Sequence, residues 1–186
     1  MIDVAQAEGL IISHSVEGFR TDNCVESSIE SPDSIVCLDD VVTDRDLPPY
    51  DRVAMDGIAL AHSDWAAGSR RFEVLSIQAA GQARLSLNKI GAAIEVATGA
   101  ALPHGTDTVV RYEDLSFDAD RRFAAIATGT EVKLGQNVHL RGSDHLKGAQ
   151  LISQGSLMRA PEWAGAASVG LTLVKAHRSP RFCLIA

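Results

Sequence analysis

Three short segments of the chain contain residues whose types and spacing suit chemistry. In the first segment, Asp56 lies within Ala54–Ala59, where small and apolar residues flank a single acid and Gly57 permits close approach to the backbone. A carboxylate in such surroundings is partly desolvated, which suits it to bind a divalent cation or to take part in acid–base chemistry. The alternative interpretation is an Asp-Gly turn with no further role.

The second segment, residues 97–107, is a strand end that breaks into a loop containing glycine and proline. Exposed backbone N–H groups around Gly99, together with the Thr98 hydroxyl, are groups that could cradle an anion. The loop has neither the lysine of a P-loop nor a G-x-G-x-x-G pattern, so its spacing alone does not identify a nucleotide-binding loop.

The third segment, residues 135–144, places Arg141 and Asp144 on a tight turn bounded by glycines. The alternative to a functional role is an Arg–Asp surface pair worth less than about 1 kcal/mol. The six histidines of the chain show no H-x-x-x-H or H-E-x-x-H spacing, which argues against a histidine-based transition-metal site. No G-x-S-x-G elbow or Cys/His pairing indicates acyl transfer.

The elements that must position these segments begin with helices. Apolar residues recur every three to four positions over residues 3–14, and Asp3 with Gln6 forms a capping-box-like start, so we predict a helix there. Ser31, Pro32 and Asp33 have the features of a second helix entry, which leads into the apolar residues up to Val41. The prolines at positions 48 and 49 then break regular structure.

From residue 70 the sequence pattern changes to short apolar runs separated by glycine, and this pattern predicts a strand-rich module. A helix is predicted from Pro161 to the C-cap glycine Gly170. Arg181–Ala186 is a non-alternating apolar run, the pattern of a strand buried on both faces, so we expect it to open a further α/β domain from which the chain is cut. The other strands predicted are Phe72–Ile77, Ile94–Ala97, Thr108–Tyr112, Phe123–Ala127 and Leu171–Lys175.

Charge and composition narrow the function classes. The 186 residues include 17 basic and 24 acidic side chains, a net charge of −7, so no basic surface is expected for nucleic acid or anionic lipid. The longest uncharged run, Trp163–Val174, is shorter than the roughly 20 apolar residues of a membrane span. The N-terminus shows no secretory signal. Cys24, Cys37 and Cys183 lie far apart among apolar neighbours, so we expect core residues in a reducing cytoplasm.

In their order and spacing, the three segments resemble the MoeA family of molybdopterin molybdenumtransferases, whose eukaryotic relatives include the gephyrin E domain. The resemblance implies an α+β, β-rich fold. Residues 1–45 and 145–176 resemble an elongated dimerisation domain, 46–144 an inserted β-rich domain, and 177–186 the first strand of a Rossmann-like pterin-binding domain. The stretches that carry the resemblance are Asp46–Ala59, Thr98–Ala100, Leu102–Pro103, Gly105–Val110, Gly135–Val138 and Arg141–Asp144.

The resemblance also implies an activity. Members of the family are cytoplasmic homodimers that take molybdate and adenylylated molybdopterin, hydrolyse the adenylate with Mg²⁺ or Zn²⁺, and leave molybdenum on the dithiolene. It therefore implies small-molecule substrates and, as further partners, other proteins of molybdenum cofactor biosynthesis. A non-catalytic dimerisation or scaffold module of the same fold is the alternative function, and we expect this polypeptide to be inactive by itself.

The family's functional positions map onto individual residues here. Asp56 matches the aspartate of M-D-G, Thr98 the threonine of T-G-A, and Asp144 the aspartate of G-E-D, so these three are the candidate catalytic residues. Asp56 and Asp144 are also the candidate metal ligands. Departures from the family pattern occur at Val53, Ile58, His104 and Ser143. The candidate substrate-binding residues are Arg52, Gly57, Gly99 and Arg141.

Overall fold

The computed structural model describes residues 2–18, 24–30 and 34–177. The predicted strand Arg181–Ala186, the expected further domain at 177–186 and Cys183 thus lie outside the described residues, apart from His177. The chain divides into two compact units: one takes Met1–Arg45 and Lys147–Ala186, and the other takes Asp46–Leu146.

The described elements follow one another as a mixture of three α-helices, one 3₁₀ turn and fourteen strands. In chain order they are α1 (Val4–Gly18), β1 (Cys24–Ser28), β2 (Ile35–Val36), β3 (Val41–Val42), β4 (Arg52–Val53), β5 (Gly57–Leu60), α2 (His62–Ala66), β6 (Arg71–Gln78), β7 (Ala92–Val96), β8 (Thr108–Arg111), the 3₁₀ turn Tyr112–Asp114, β9 (Leu115–Phe117), β10 (Phe123–Ile126), β11 (Val138–His139), β12 (Gln150–Ile152), β13 (Leu157–Met158), α3 (Ala160–Ser168) and β14 (Leu173–His177).

Helix α1 begins as its sequence predicts. The Asp3 N–H donates to Gln6 Oε1 at 3.2 Å, and the Gln6 N–H donates to Asp3 Oδ1 at 2.8 Å, so two N-terminal donors are satisfied reciprocally. Four large apolar side chains of α1 are not buried within the described structure: Val4 and residues 10–12 are at least half exposed. The first unit thus presents an apolar helix on its surface.

The prediction of a second N-terminal helix over residues 31–41 is wrong for the residues that the structure describes. Ile35–Val36 pairs antiparallel with β13, and Val41–Val42 pairs antiparallel with β12. These β-branched residues suit strands, and their partners lie more than 100 positions further along the chain. A local pattern cannot indicate such partners. Residues 31–33 lie outside the described residues.

Helix α3 and strand β14 of the first unit agree with the sequence predictions, whereas β1, β12 and β13 were not predicted. Helix α3 starts with Pro161 in its first turn and buries Trp163 and Ala166, and Gly170 follows its end with φ = +80°. The predicted strand after it is β14, which pairs antiparallel with β1. Of the two described cysteines, Cys37 is buried but Cys24 is exposed at the start of β1, so the core prediction fails for Cys24. No helix among the described residues is long and apolar enough to cross a membrane.

The second unit is built on a six-stranded sheet in the order β8-β5-β7-β6-β10-β9, in which only the β6–β7 pair is parallel. It confirms the four strands predicted between residues 72 and 127 to within two residues at their ends. The sheet carries a hydrophobic cluster on each face, because Ala59 belongs to one cluster and its neighbours Ile58 and Leu60 to the other. All four residues of β5 are buried, so this strand lies in the centre of the unit.

Gly57, the first residue of β5, lies where the neighbouring strand leaves no space for a side chain. It stands opposite Val96 of β7 and Arg111 of β8. A Cβ atom at this position would lie 1.9 Å from the carbonyl oxygen of Val110. Only glycine therefore fits here, and it places Asp56 at the entry to a fully paired strand.

Candidate functional site

Strand β4 brings the three chemistry-bearing segments together. On one side it pairs with β11, with Arg52 opposite His139. On the other side the Val53 N–H donates to Ala100 O at 2.9 Å, and the Gly99 N–H donates to Val53 O at 2.9 Å. An extended strand can form hydrogen bonds along both of its edges. The two residues of β4 therefore hold the loop after Thr98 on one side and the segment before Asp144 on the other.

Asp56 and Thr98, predicted from separate segments, are in direct contact. Asp56 Oδ1 accepts hydrogen bonds from the Thr98 N–H at 2.6 Å and from Thr98 Oγ1 at 2.8 Å. These bonds, the backbone one first, lower the pKa of Asp56, whereas desolvation opposes them. Asp56 is exposed, and Oδ2 has no partner among the described residues. The site thus offers an ionised, oriented carboxylate with one oxygen free.

We expect Thr98→Val to raise the pKa of Asp56. The variant removes the hydroxyl bond but keeps the backbone bond, so the pKa should rise and still remain below the ordinary aspartate value. Since the folded-state pKa is depressed, the bond stabilises the fold above the unfolded pKa, and this stabilisation is lost as the pH falls through the folded pKa. NMR titration of the Asp56 carboxyl carbon measures the shift.

The matched control for that measurement is Thr106→Val. It removes a threonine hydroxyl that donates to Pro103 O at 2.8 Å and does not contact Asp56. The control should leave the titration of Asp56 unchanged. An identical Asp56 pKa in the parent and in Thr98→Val would show that the hydroxyl bond is not formed in solution.

Asp144 lies at the end of a second set of contacts. Its Oδ1 is 2.9 Å from His139 Nε2, and His139 Nδ1 is 3.2 Å from Arg52 Nη2. The predicted residues Arg52 and Asp144 are therefore connected through an imidazole that the sequence analysis did not single out. No local sequence pattern marks His139, because one of its partners lies 87 residues earlier in the chain and the other lies five residues later.

Arg141 does not form the surface pair with Asp144 that its spacing suggested. Its Nε donates to Asp46 Oδ2 at 2.7 Å, and its backbone N–H donates to Asp51 Oδ1 at 2.9 Å. The Asp144 N–H in turn donates to Leu47 O at 2.9 Å. The turn that contains Arg141 is thus anchored to residues 46–51, and the Arg141 charge is balanced by Asp46.

The amide cradle expected around Gly99 is not available in this geometry. The Thr98 N–H is donated to Asp56, the Gly99 N–H to Val53, and the Ala100 N–H to Ala97 O at 3.0 Å. None of the three amides is free to bind a phosphate oxygen. Gly99 has φ = +84°, which shapes the turn that delivers the Thr98 amide and hydroxyl to Asp56.

A further cluster beside Asp56 was not predicted. The Tyr112 N–H donates to Asp56 O at 3.1 Å, and Tyr112 Oη donates to Glu95 Oε1 at 2.5 Å. Arg121 Nη2 donates to the same Glu95 oxygen at 2.9 Å. Burial, followed by the bond to Glu95, raises the pKa of Tyr112 to about 12, so the phenol stays protonated and keeps its hydrogen bond to Glu95. The residues come from three separate strands and turns, which no local pattern connects.

The described residues do not contain three His, Cys, Asp or Glu side chains grouped closely enough to hold a metal ion. In the part of the chain that the structure describes, Asp56 and Asp144 each keep one carboxylate oxygen without a protein partner. Hard carboxylate oxygens suit Mg²⁺, which commonly uses one or two carboxylates together with phosphates and water. A zinc site made by this chain alone would require more ligands than the described residues bring together.

The fold has known counterparts among solved structures. The crystal structure of molybdopterin biosynthesis MoeA protein from Pyrococcus horikosii superposes with a TM-score of 0.76 at 27% identity, covering 90% of this chain and 43% of that one. Residues 2–170 match the family described as the MoeA N-terminal region, domain I and II. The chain belongs to this family.

Relatives in this family carry one common name, molybdopterin molybdenumtransferase. The protein from Synechocystis sp. is 35% identical over 185 residues, which is 100% of this chain and 46% of the relative. The protein from Bacillus subtilis is 30% identical over 154 residues, which is 80% of this chain and 35% of the relative. The chain thus spans at most about half the length of the curated relatives described here.

Proposed function

We propose that this chain is the N-terminal region of a molybdopterin molybdenumtransferase, acting in molybdenum cofactor biosynthesis. The reaction proposed takes molybdate and adenylylated molybdopterin, hydrolyses the adenylate and leaves molybdenum on the dithiolene. The observation that carries the proposal is the Asp56 carboxylate, which Thr98 holds at 2.6 and 2.8 Å in an ionised state with one oxygen exposed. The alternative of a scaffold module gives no reason for such an arrangement.

The residues of this chain have distinct tasks in the proposed reaction. Asp56 Oδ2 is free to orient a water molecule toward the adenylate phosphate, because Thr98 occupies Oδ1 and prevents the carboxylate from rotating. The Tyr112 N–H and the close packing at Gly57 fix the backbone on the other side of Asp56. Arg52 carries a positive charge next to this loop and suits phosphate oxygens.

We propose Mg²⁺ as the cofactor, held by Asp56 or Asp144 together with oxygens of the substrate. The two carboxylates fit this ion because each has a free oxygen of the hard type that Mg²⁺ prefers. When bound, the ion would offset negative charge on the pyrophosphate oxygens. Asp56 would retain its bonds from Thr98 in the loaded enzyme, since these use the other oxygen.

We also propose a cytoplasmic homodimer, with other proteins of molybdenum cofactor biosynthesis as partners. Its support is the apolar surface of α1, where Val4 is 76% and Ile11 is 66% exposed. Helices that expose such side chains commonly bury them against a partner. Sedimentation of the chain at micromolar concentration tests this proposal: a dimer that Ile11→Asp dissociates would support it, and a monomer would contradict it.

A chimaera tests the enzymatic proposal. Residues 1–186 of this chain would replace the matching part of the Synechocystis relative, which aligns over 100% of this chain. We expect the chimaera to release AMP from adenylylated molybdopterin in the presence of molybdate and Mg²⁺, and the 186-residue chain alone to release none. A folded chimaera that releases no AMP, when the intact relative is active, would favour the scaffold module.

A further inference from the structure

His139 lies between a cation, Arg52, and an anion, Asp144, and has no task in the proposed function described above. Arg52 Nη2 lies 3.2 Å from His139 Nδ1, and His139 Nε2 lies 2.9 Å from Asp144 Oδ1. A guanidinium can only donate, so Nδ1 must accept and the ring proton is assigned to Nε2, which donates to Asp144. Both nitrogens of a neutral imidazole are thereby engaged, one with each charged neighbour.

The two neighbours of His139 keep unused bonding capacity. Within residues 34–177, Arg52 forms no ion pair with a carboxylate, and Asp144 Oδ2 has no partner although the side chain is 51% exposed. Six other arginines do pair with acids: Arg45, Arg71, Arg111, Arg121, Arg141 and Arg159.

The imidazole ring of His139 keeps Arg52 and Asp144 from forming an ion pair with each other. Opposite charges within about 4 Å attract, and a bidentate Arg–carboxylate pair would consume the donors of one and the free oxygen of the other. His139 prevents this contact because its ring is inserted between them and bonds each by a single atom. The remaining guanidinium N–H groups of Arg52 then stay available to an anion.

We propose that His139 is a positioning residue that holds Arg52 and Asp144 aligned but apart, so that Arg52 binds the phosphate oxygens of the substrate. The identity of that substrate rests on the proposed function, whereas the binding of phosphate oxygens at Arg52 does not. This positioning role involves no proton transfer, because the His139 ring acts only through its two hydrogen bonds. The chemical class of the ligand is a pyrophosphate or phosphate ester.

Inorganic pyrophosphate titrated into the 186-residue chain tests the proposal without catalysis. The readout is the NMR signal of the Arg52 Nε–H group, which Arg52→Lys identifies by its loss. We expect His139→Phe, which keeps a planar ring but lacks both nitrogens, to weaken pyrophosphate binding by about tenfold. His139→Gln should restore most of the affinity, because its carbonyl oxygen can accept from Arg52 and its amide can donate to Asp144.

A matched control and a second variant make the outcome decisive. His145→Phe changes an exposed histidine six residues further along the same segment and should leave the affinity unchanged. If His139→Phe does not fold, His139→Leu replaces it in the same titration. Unchanged affinity in the folded variant, no restoration by His139→Gln, or a response confined to other arginines would each overturn the proposal. An inactive chimaera with the expected pyrophosphate pattern would overturn only the proposed function.

Discussion

Gly57→Ala is expected to destabilise the unit Asp46–Leu146 by about 3 kcal/mol or more, since overpacking against backbone cannot be relieved by a side-chain rotation. The added methyl group would lie 1.9 Å from Val110 O and 2.8 Å from the Cα of Arg111. Relief would require β5 and β8 to separate. These strands are bonded along four residue pairs, and β5 is buried throughout, so separation would open both hydrophobic clusters.

Urea unfolding, followed by tryptophan fluorescence, measures the loss of stability in the unit Asp46–Leu146. The two tryptophans lie in different units, Trp65 in Asp46–Leu146 and Trp163 in the other, so a Trp163→Phe background reports only on the unit that contains Gly57. We expect the Trp65 transition to move to a much lower urea concentration. An unchanged midpoint would mean that β5 and β8 are further apart in solution than the structure shows.

Gly165→Ala is the control for a glycine that has space. Gly165 lies inside α3 and an added Cβ would meet no atom within 4 Å. Alanine is a better helix former than glycine by about 1 kcal/mol, so this variant should stabilise the unit that contains Trp163 or leave its stability unchanged. The same chemical change thus has opposite expected effects at two positions, which separates steric conflict from a general effect of removing glycine.

Asp56→Asn is expected to lower kcat for AMP release in the chimaera by at least about 100-fold, the usual range for losing an acid–base or charge-stabilising group. Asparagine has almost the same shape, and its carbonyl oxygen can still accept from the Thr98 N–H and hydroxyl. The geometry described for Asp56 would therefore persist. The free Oδ2 becomes an amide donor and the negative charge is lost, so a loss of rate would report on the ionised oxygen that Thr98 leaves free.

The control for the aspartate charge is Asp120→Asn. Asp120 is exposed in the turn between β9 and β10 and has no role in the site, so this variant should keep the parental rate. Urea unfolding of both variants verifies that the fold is retained. If Asp56→Asn is folded and releases AMP as fast as the parent, the role assigned to Asp56 is wrong, while membership of the family is unaffected.

The local sequence pattern was sufficient to predict a helix or strand where that element is stabilised by its own residues. The Asp3–Gln6 capping box, the proline-started helix α3 and the glycine-separated strands of the second unit were all predictable, because caps, turns and β-branched runs act over a few positions. The failure at residues 35–42 has the opposite cause. Those strands exist because β12 and β13 bond to them, and a helix-like entry signal cannot reveal partners so distant along the chain.

The same distinction applies to the candidate site. Motif spacing selected Asp56, Thr98 and Asp144, and the structure places Asp56 against Thr98. Motif spacing could not show that the backbone N–H groups of Thr98 and Gly99 already donate hydrogen bonds within the chain. Nor could it show that Arg141 bonds Asp46 instead of Asp144. These outcomes depend on which donors the fold leaves free, which is a property of the packed chain.

By itself, the sequence determined the strand-rich α+β class, the family and the residues able to do chemistry, since these depend on residue type and on short-range order. Only the tertiary structure decided how they combine. Strand β4 joins three distant segments through its two edges, and His139 acquires its two charged neighbours in this way. The physical reason is that a hydrogen bond depends on distance in space, and residues 52, 101 and 139 become neighbours only when the chain folds.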